Sequence, residues 1–256
     1  MRIIAGEFRS RRLLSPPRGA AARPIPDRVK ESLFSILRGN VEGATVLDCF
    51  AGTGAIGLEA LSRGAARCLF VERDQRMADV LRRNIEALGC EDRAEVVVGE
   101  ALGIGILARA PRPIDLLFFD PPYELIRQPA GWARVRDQFA RLIELLADSG
   151  FAVLRTPWPF VHADEPAPPR PPVRHAAPGR PHTRAARPDH HDEDDDQSLD
   201  DDLALEAETS AEGPEAAPTP PAKTRRHAVD LRVPGAVGPE THTYRHTALH
   251  FYMRRR

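Results

Sequence analysis

Between residues 45 and 156 the chain repeats one unit: a short uninterrupted apolar run, a turn, and a stretch with helical spacing. The runs are "TVLDCF" (45–50), "RCLFVE" (67–72), "AEVVVGE" (94–100), "IDLLFFD" (114–120) and "FAVLRT" (151–156). They are compact rather than regularly alternating, so both faces of each are expected to be buried. That is the pattern of parallel strands covered by helices on either side. Helical spacing fills the gaps, with Met77, Val80, Leu81, Ile85 and Leu88 in 75–89 and Trp132, Val135, Phe139, Leu142, Ile143 and Leu146 further on. "AIGLEALSRG" (55–64) reads as a shorter helix closed by a glycine. The fold class that follows is α/β, a doubly wound, mainly parallel Rossmann-like sheet.

Four segments are expected. Residues 1–26 form a basic arm, with a two-stranded hairpin over 2–14 that carries Arg9, Arg11 and Arg12 at its exposed turn. Residues 27–156 form the core, entered by a helix with Asp27 as N-cap and Val29, Leu33, Ile36 and Leu37 on one face. Residues 157–222 are rich in proline, alanine and acid, a composition that buries too little apolar surface to offset ordering entropy, and are expected to be disordered. Residues 223–256 return to strand patterning at 227–233 and 244–254, the latter with Thr247, Leu249, Phe251 and Met253 on one face, and are placed in the sheet as an antiparallel hairpin.

The formal net charge of −1 conceals a separation. Residues 160–222 carry −10 and the remainder +9, and residues 1–38 alone hold 9 basic against 3 acidic groups. A basic arm beside a basic C-terminal end suits a polyanionic partner. The runs Asp192–Asp196 and Asp200–Asp202 read as a solvated acidic tract. Cys49, Cys68 and Cys90 match no metal-binding spacing and read as core residues in a reducing compartment, and no metal is expected. The chain shows no membrane span and no signal-peptide core, so a cytoplasmic location is expected.

Two motifs carry chemistry. In "DCFAGTGAIG" (48–57), Gly52, Gly54 and Gly57 satisfy G-x-G-x-x-G between a strand and its helix, and Glu72 closes the next strand. The glycines admit a ligand close to the backbone and the carboxylate meets ribose hydroxyls, which serves nicotinamide dinucleotides and S-adenosylmethionine alike. With Asp48 and Phe50-Ala51 ahead of the glycines, the motif resembles the methyltransferase form, in which the acid reaches the methionine end of the cofactor. Glu100 is placed for the adenine edge. The second motif is "DPPY". Asp120 ends the fourth run, and consecutive prolines lack N–H donors and hold the loop extended, so carboxylate and carbonyls form an acceptor-only corner walled by Tyr123. An exocyclic base amine, with two N–H donors and a stackable face, suits such a corner. Residues 1–161 contain no histidine, which argues against histidine-based catalysis in the core.

Together with "RIIAGEFRSRRL" at the start, "RPIPDRVKESLFSIL" (23–37), "LDCFAGTGAIGLEALSRGA" (47–65) and "VERD" (71–74), these residues resemble the bacterial small-subunit (16S) ribosomal RNA guanine-N2 methyltransferases, the RsmD family. The resemblance implies a seven-stranded methyltransferase sheet, S-adenosylmethionine as cofactor, and N2-methylguanine in 16S rRNA as product, made on rRNA or a small-subunit assembly particle by a monomer. It implies catalysis by Asp120, Pro121, Pro122 and Tyr123, and a cofactor site of Asp48, Phe50, Ala51, Gly52, Gly54, Glu72, Arg73, Glu100 and Ala101. Arg9, Arg11, Arg12, Arg23 and Arg28 would hold phosphates. Two features depart from the family: Ile25-Pro26 stands where threonine follows "RP", and the connection before the last strands is longer. "DPPY" is shared with adenine-N6 DNA methyltransferases, and a nicotinamide-dependent oxidoreductase or a non-catalytic rRNA-binding assembly factor on the same fold are the other readings.

Overall fold

The computed structural model describes residues 1–17, 19, 24–163 and 226–256. The strands of the repeating core are β1 (Thr45–Cys49), β2 (Arg67–Glu72), β3 (Ala94–Val98), β4 (Ile114–Phe119) and β5 (Leu146–Pro157). The helices that come before and between them are α1 (Asp27–Ile36), α2 (Gly57–Ser62), α3 (Gln75–Leu88), α4 (Ile104–Arg109), α5 (Tyr123–Ile126) and α6 (Pro129–Ile143). After β5 come β6 (Val161–Ala163), β7 (Arg226–Ala228), β8 (Ala236–Tyr244) and β9 (Thr247–Arg254).

Seven strands form one sheet in the order β3-β2-β1-β4-β5-β9-β8. β1 to β5 pair in parallel, and β9 joins antiparallel to both β5 and β8. The apolar runs explain this arrangement. Leu47, Leu69, Leu117 and Leu154 send side chains to one core layer with Phe139 and Trp132, while Val46, Phe70, Leu116 and Val153 meet Leu33, Phe34 and Leu58 on the other. The chain order reverses between β1 and β4, where Asp48 lies beside Phe118 and Cys49 beside Phe119. The loops after these two strands therefore open side by side at the crevice, the position where doubly wound sheets bind ligands.

The terminal hairpin differs from the sequence expectation. β9 forms as read, but its partner is β8, in the "AVGPETHTY" stretch, rather than residues 227–233. Gly238-Pro239 obscures that strand in the sequence. A register shift between Val237 and Glu240 absorbs the pair, and an edge strand tolerates a proline that cannot donate to the ladder. Lying between β5 and β8, β9 is buried on both faces rather than one, with Leu249 and Phe251 in one layer and Tyr252 in the other. Residues 226–228 instead pair with β6, so a strand at Val161–Ala163 lies within the segment expected to be disordered from residue 157. The rest of the proposed insert, with its acidic tract, lies outside the described residues.

Smaller differences have local causes. Pro26, with φ −61° and ψ 144°, takes the N-cap position expected of Asp27, and its carbonyl accepts from the N–H groups of Val29 and Lys30. Asp27 stands in the first turn and pairs with Arg2 at 3.1 Å. Leu146 opens β5 instead of closing α6, because it pairs with Ile114 across the sheet. The arm is a hairpin joined at Arg2 and Arg12, and it folds inward: Ile3, Phe8 and Leu13 are buried in the core. Cys49, Cys68 and Cys90 are buried free thiols.

Candidate active site

A cavity of about 220 Å³ opens at the switch point. Asp48, Phe50, Ala51, Gly52, Glu72 and Arg73 line one side, and Asp120, Pro121, Pro122 and Tyr123 the other. The two motifs therefore meet, as expected. Pro24, Ile25 and Met1 from the N-terminal segment line it too, so the Ile25-Pro26 departure falls at the site itself. Glu100 and Ala101 do not line it: Glu100 is exposed and pairs with Arg73 at 3.5 Å, because β3 ends two residues earlier, at Val98.

The glycine loop is held by carboxylates. Glu72 accepts from Gly52 N–H through Oε2 and from Asp74 N–H through Oε1, each at 2.8 Å, so the acid expected to meet ribose also shapes the loop. Asp48 Oδ2 accepts from Gly57 N–H at 2.9 Å. That contact needs glycine, since a Cβ at residue 57 would lie 2.3 Å from Phe70 Cε1 and 2.9 Å from Asp48 Oδ2. Gly54 serves packing rather than the cavity wall, because a Cβ there would lie 2.4 Å from Leu81 Cδ1. Phe50 turns through a left-handed φ of 61° and sets its ring edge-on to Phe119 at 5.1 Å.

Asp48 is fully buried, and desolvation pushes its carboxyl up to about 8; the Gly57 N–H opposes this, while the nearby Asp120 and Glu72 carboxylates add to it. A raised folded-state value means that the native protein binds a proton the unfolded chain has released. The stability contributed by Asp48 is then complete below its ordinary value of 3.8 and is lost as pH rises through about 8. Urea titrations across that window should show the wild type losing stability with pH relative to Asp48→Asn, and equal slopes for the two proteins would refute the assignment.

The corner at Asp120 is not acceptor-only. Arg155, in the interior of β5, points into it, and its Nε donates to Asp120 Oδ1 at 2.7 Å. Its guanidinium carbon lies 5.8 Å from the centre of the Tyr123 ring. Burial raises the Asp120 carboxyl above the ordinary aspartate value despite the opposing guanidinium. The Pro122 carbonyl accepts from Leu125 N–H at 3.0 Å and so caps α5, which leaves the Pro121 carbonyl as the acceptor the loop can offer a substrate. Tyr123 is anchored from behind: its hydroxyl donates to the Thr156 carbonyl at 3.1 Å and lies 2.7 Å from Thr247 Oγ1 on β9. The last strand therefore braces the motif.

Arg9 and Arg12 are exposed on the arm hairpin, and Arg28 is exposed on α1. Arg11 is exposed but donates to the Ala87 carbonyl. Arg23 lies outside the described residues.

A seven-stranded sheet of this order, with a glycine loop and a D-P-P-Y corner facing one acidic cavity, defines a doubly wound α/β protein of the methyltransferase class. The family described as "Conserved hypothetical protein 95" matches residues 1–154. The chain belongs to it, the RsmD family. The Ribosomal RNA small subunit methyltransferase D of Escherichia coli K12 is 38% identical over 151 residues, 59% of this chain and 69% of that relative. Its namesake in Haemophilus influenzae is 39% identical over 124 residues, covering 48% and 64%. The solved structure of yhhF from Escherichia coli shares the fold, with a TM-score of 0.60 at 24% identity over 99% of this chain and 97% of that one.

Proposed function

We propose that the protein transfers a methyl group from S-adenosylmethionine to the exocyclic N2 amine of a guanine in small-subunit ribosomal RNA. The observation that carries this reading is the position of Asp120 and Pro121 across one cavity from the glycine loop. The residues present suit such a cofactor: the Glu72 carboxylate and the Asp48 carboxyl, which burial pushes up to about 8, offer acceptor oxygens to its hydroxyl and ammonium groups, and Gly52 lets it approach the backbone. When bound, the cofactor supplies an electrophilic methyl carbon. Glu72 and Asp48 would hold it.

Asp120 and the Pro121 carbonyl accept the two amine hydrogens, which orients the nitrogen and offsets the charge that develops on it. As the new bond forms, one of those hydrogens becomes acidic, and the carboxylate within reach is Asp120. The Tyr123 ring walls the base, which leaves its stack to enter. Arg9, Arg12 and Arg28, together with Arg23, would bind phosphates, so affinity should fall steeply with salt. A monomer acting in the cytoplasm on rRNA or on an assembly particle completes the reading. Among the described residues no helix is long and apolar enough to cross a membrane.

The deciding assay offers labelled cofactor with 16S rRNA, small-subunit particles or duplex DNA. Label should enter rRNA or the particle and digest to N2-methylguanosine. Label in the adenines of DNA alone would move the protein to the N6 class, and no transfer with intact RNA binding would make it an assembly factor.

A further inference from the structure

One buried charge at the site has no place in the sequence motifs. Arg155 stands in β5 between Leu154 and Thr156, both fully buried, and its own side chain is only 7% exposed. An arginine is rarely placed in the middle of a sheet unless something there requires a fixed positive charge. Its Nε meets Oδ1 of Asp120, whose side chain is 16% exposed, and both residues line the cavity.

We propose that Arg155 is a positioning residue for methyl transfer: its guanidinium holds Asp120 as an ionised acceptor, engaging one carboxylate oxygen so that the other is presented to the incoming amine. The proposal rests on the reading that Asp120 receives a base amine.

The chemistry requires some such device. A protonated carboxyl turns one acceptor into a donor and repels an N–H group. Asp120 is exposed to that risk, because burial raises its carboxyl and Arg155 is what pulls it back. The remaining groups around the cavity do not help. Asp48 from β1 is a like charge when ionised, Glu72 and Asp74 are acids on the far side, Glu124 is a further acid after the motif, and Arg73 is engaged with Glu100. The ring of Tyr123 lies near the guanidinium and limits its movement.

The test uses the full chain without cofactor or RNA. Carbon-13 carboxyl resonances of labelled aspartates are titrated, and Asp120 is assigned by the loss of its signal in Asp120→Asn. In Arg155→Met its midpoint should move upward by about one to three pH units, the effect of removing an adjacent opposite charge. Arg155→Lys, which keeps the charge but not the planar fork, should fall in between. In parallel, kcat of Arg155→Met at neutral pH should drop about 10- to 100-fold with KM for RNA little changed, and should recover as pH rises. If the methionine variant does not fold, Arg155→Gln takes its place in both measurements. An unmoved Asp120 midpoint overturns the proposal. Faster transfer by the variant also overturns it, since Arg155 would then be competing with the amine for the carboxylate. The wild-type rRNA assay reports separately on the function itself, so the two failures are distinguishable.

Discussion

Asp120→Asn should lower the rate of methyl transfer about 10²- to 10³-fold, the usual cost of removing one preorganised electrostatic contact to a reacting group. The replacement is isosteric but has one acceptor oxygen in place of two. Arg155 Nε, 2.7 Å from Oδ1 in the wild type, will claim that oxygen, which turns the new NH2 group toward the substrate amine, donor against donor. Cofactor affinity by calorimetry should not weaken, because Asp120 is one of the charges that disfavour an ionised Asp48. The variant takes a carboxylate away from the buried Arg155 guanidinium, so its melting temperature should fall, and rates must be compared where circular dichroism shows both proteins folded. Activity within threefold of wild type would remove Asp120 from the chemistry and the D-P-P-Y corner from the site.

How far such a site can be read from sequence depends on whether its residues sit where local rules speak. Asp48, Glu72 and Asp120 end or nearly end apolar runs, so fold class alone brings them to one edge of the sheet, and the structure places all three in one cavity. Glu100 fails the same rule because β3 stops at Val98 and the chain turns before reaching it. Arg155 is invisible to motif logic, since it interrupts "FAVLRT" as a single polar residue. The available signal was the anomaly itself, a charge in a run otherwise fit for a sheet interior. α4 was missed because Gly103 and Gly105 weaken its helical pattern and Ile106 is its one buried residue. β8 was missed because Gly238-Pro239 reads as a turn, and only its edge position, a property of the assembled sheet, makes it a strand. The arm's composition marks a basic surface feature, and Arg9, Arg11 and Arg12 are exposed, but the fixing of its backbone is a tertiary matter.

Ser62 and Asn84 take part in that fixing, with Ser62 accepting from Glu7 N–H and Phe8 N–H and Asn84 from Leu14 N–H, but its charged member is Glu59, and Glu59→Gln should be the most destabilising isosteric change in the N-terminal half. Glu59 is fully buried on α2. Its Oε2 accepts from Ile4 N–H at 2.8 Å and meets Lys30 Nζ at 3.1 Å, while Oε1 accepts from Ala5 N–H at 3.1 Å and Arg63 Nε at 2.8 Å. Each oxygen therefore serves one backbone amide and one cation, and glutamine must set an NH2 group against two donors whichever way it turns. Where the NH2 group takes the Oε2 position, Lys30, itself 1% exposed, is left among the described residues with the Arg2 carbonyl, 2.7 Å away, as its acceptor. Breaking one member of such a buried pair costs about 3–5 kcal/mol, which at about 2–4 °C per kcal/mol for a chain of this size is a fall of roughly 10 °C in Tm. Lys30→Met should cost less, because Glu59 retains three donors. The double variant should be more stable than the sum of the two predicts, since the orphaned ammonium is gone, yet it should not recover wild-type stability, because the amides of Ile4 and Ala5 still face an imperfect acceptor. Calorimetric melts of the three variants decide the matter: a Glu59→Gln protein melting within 2–3 °C of wild type, roughly a 1 kcal/mol change, would show that the arm does not depend on the Glu59 carboxylate.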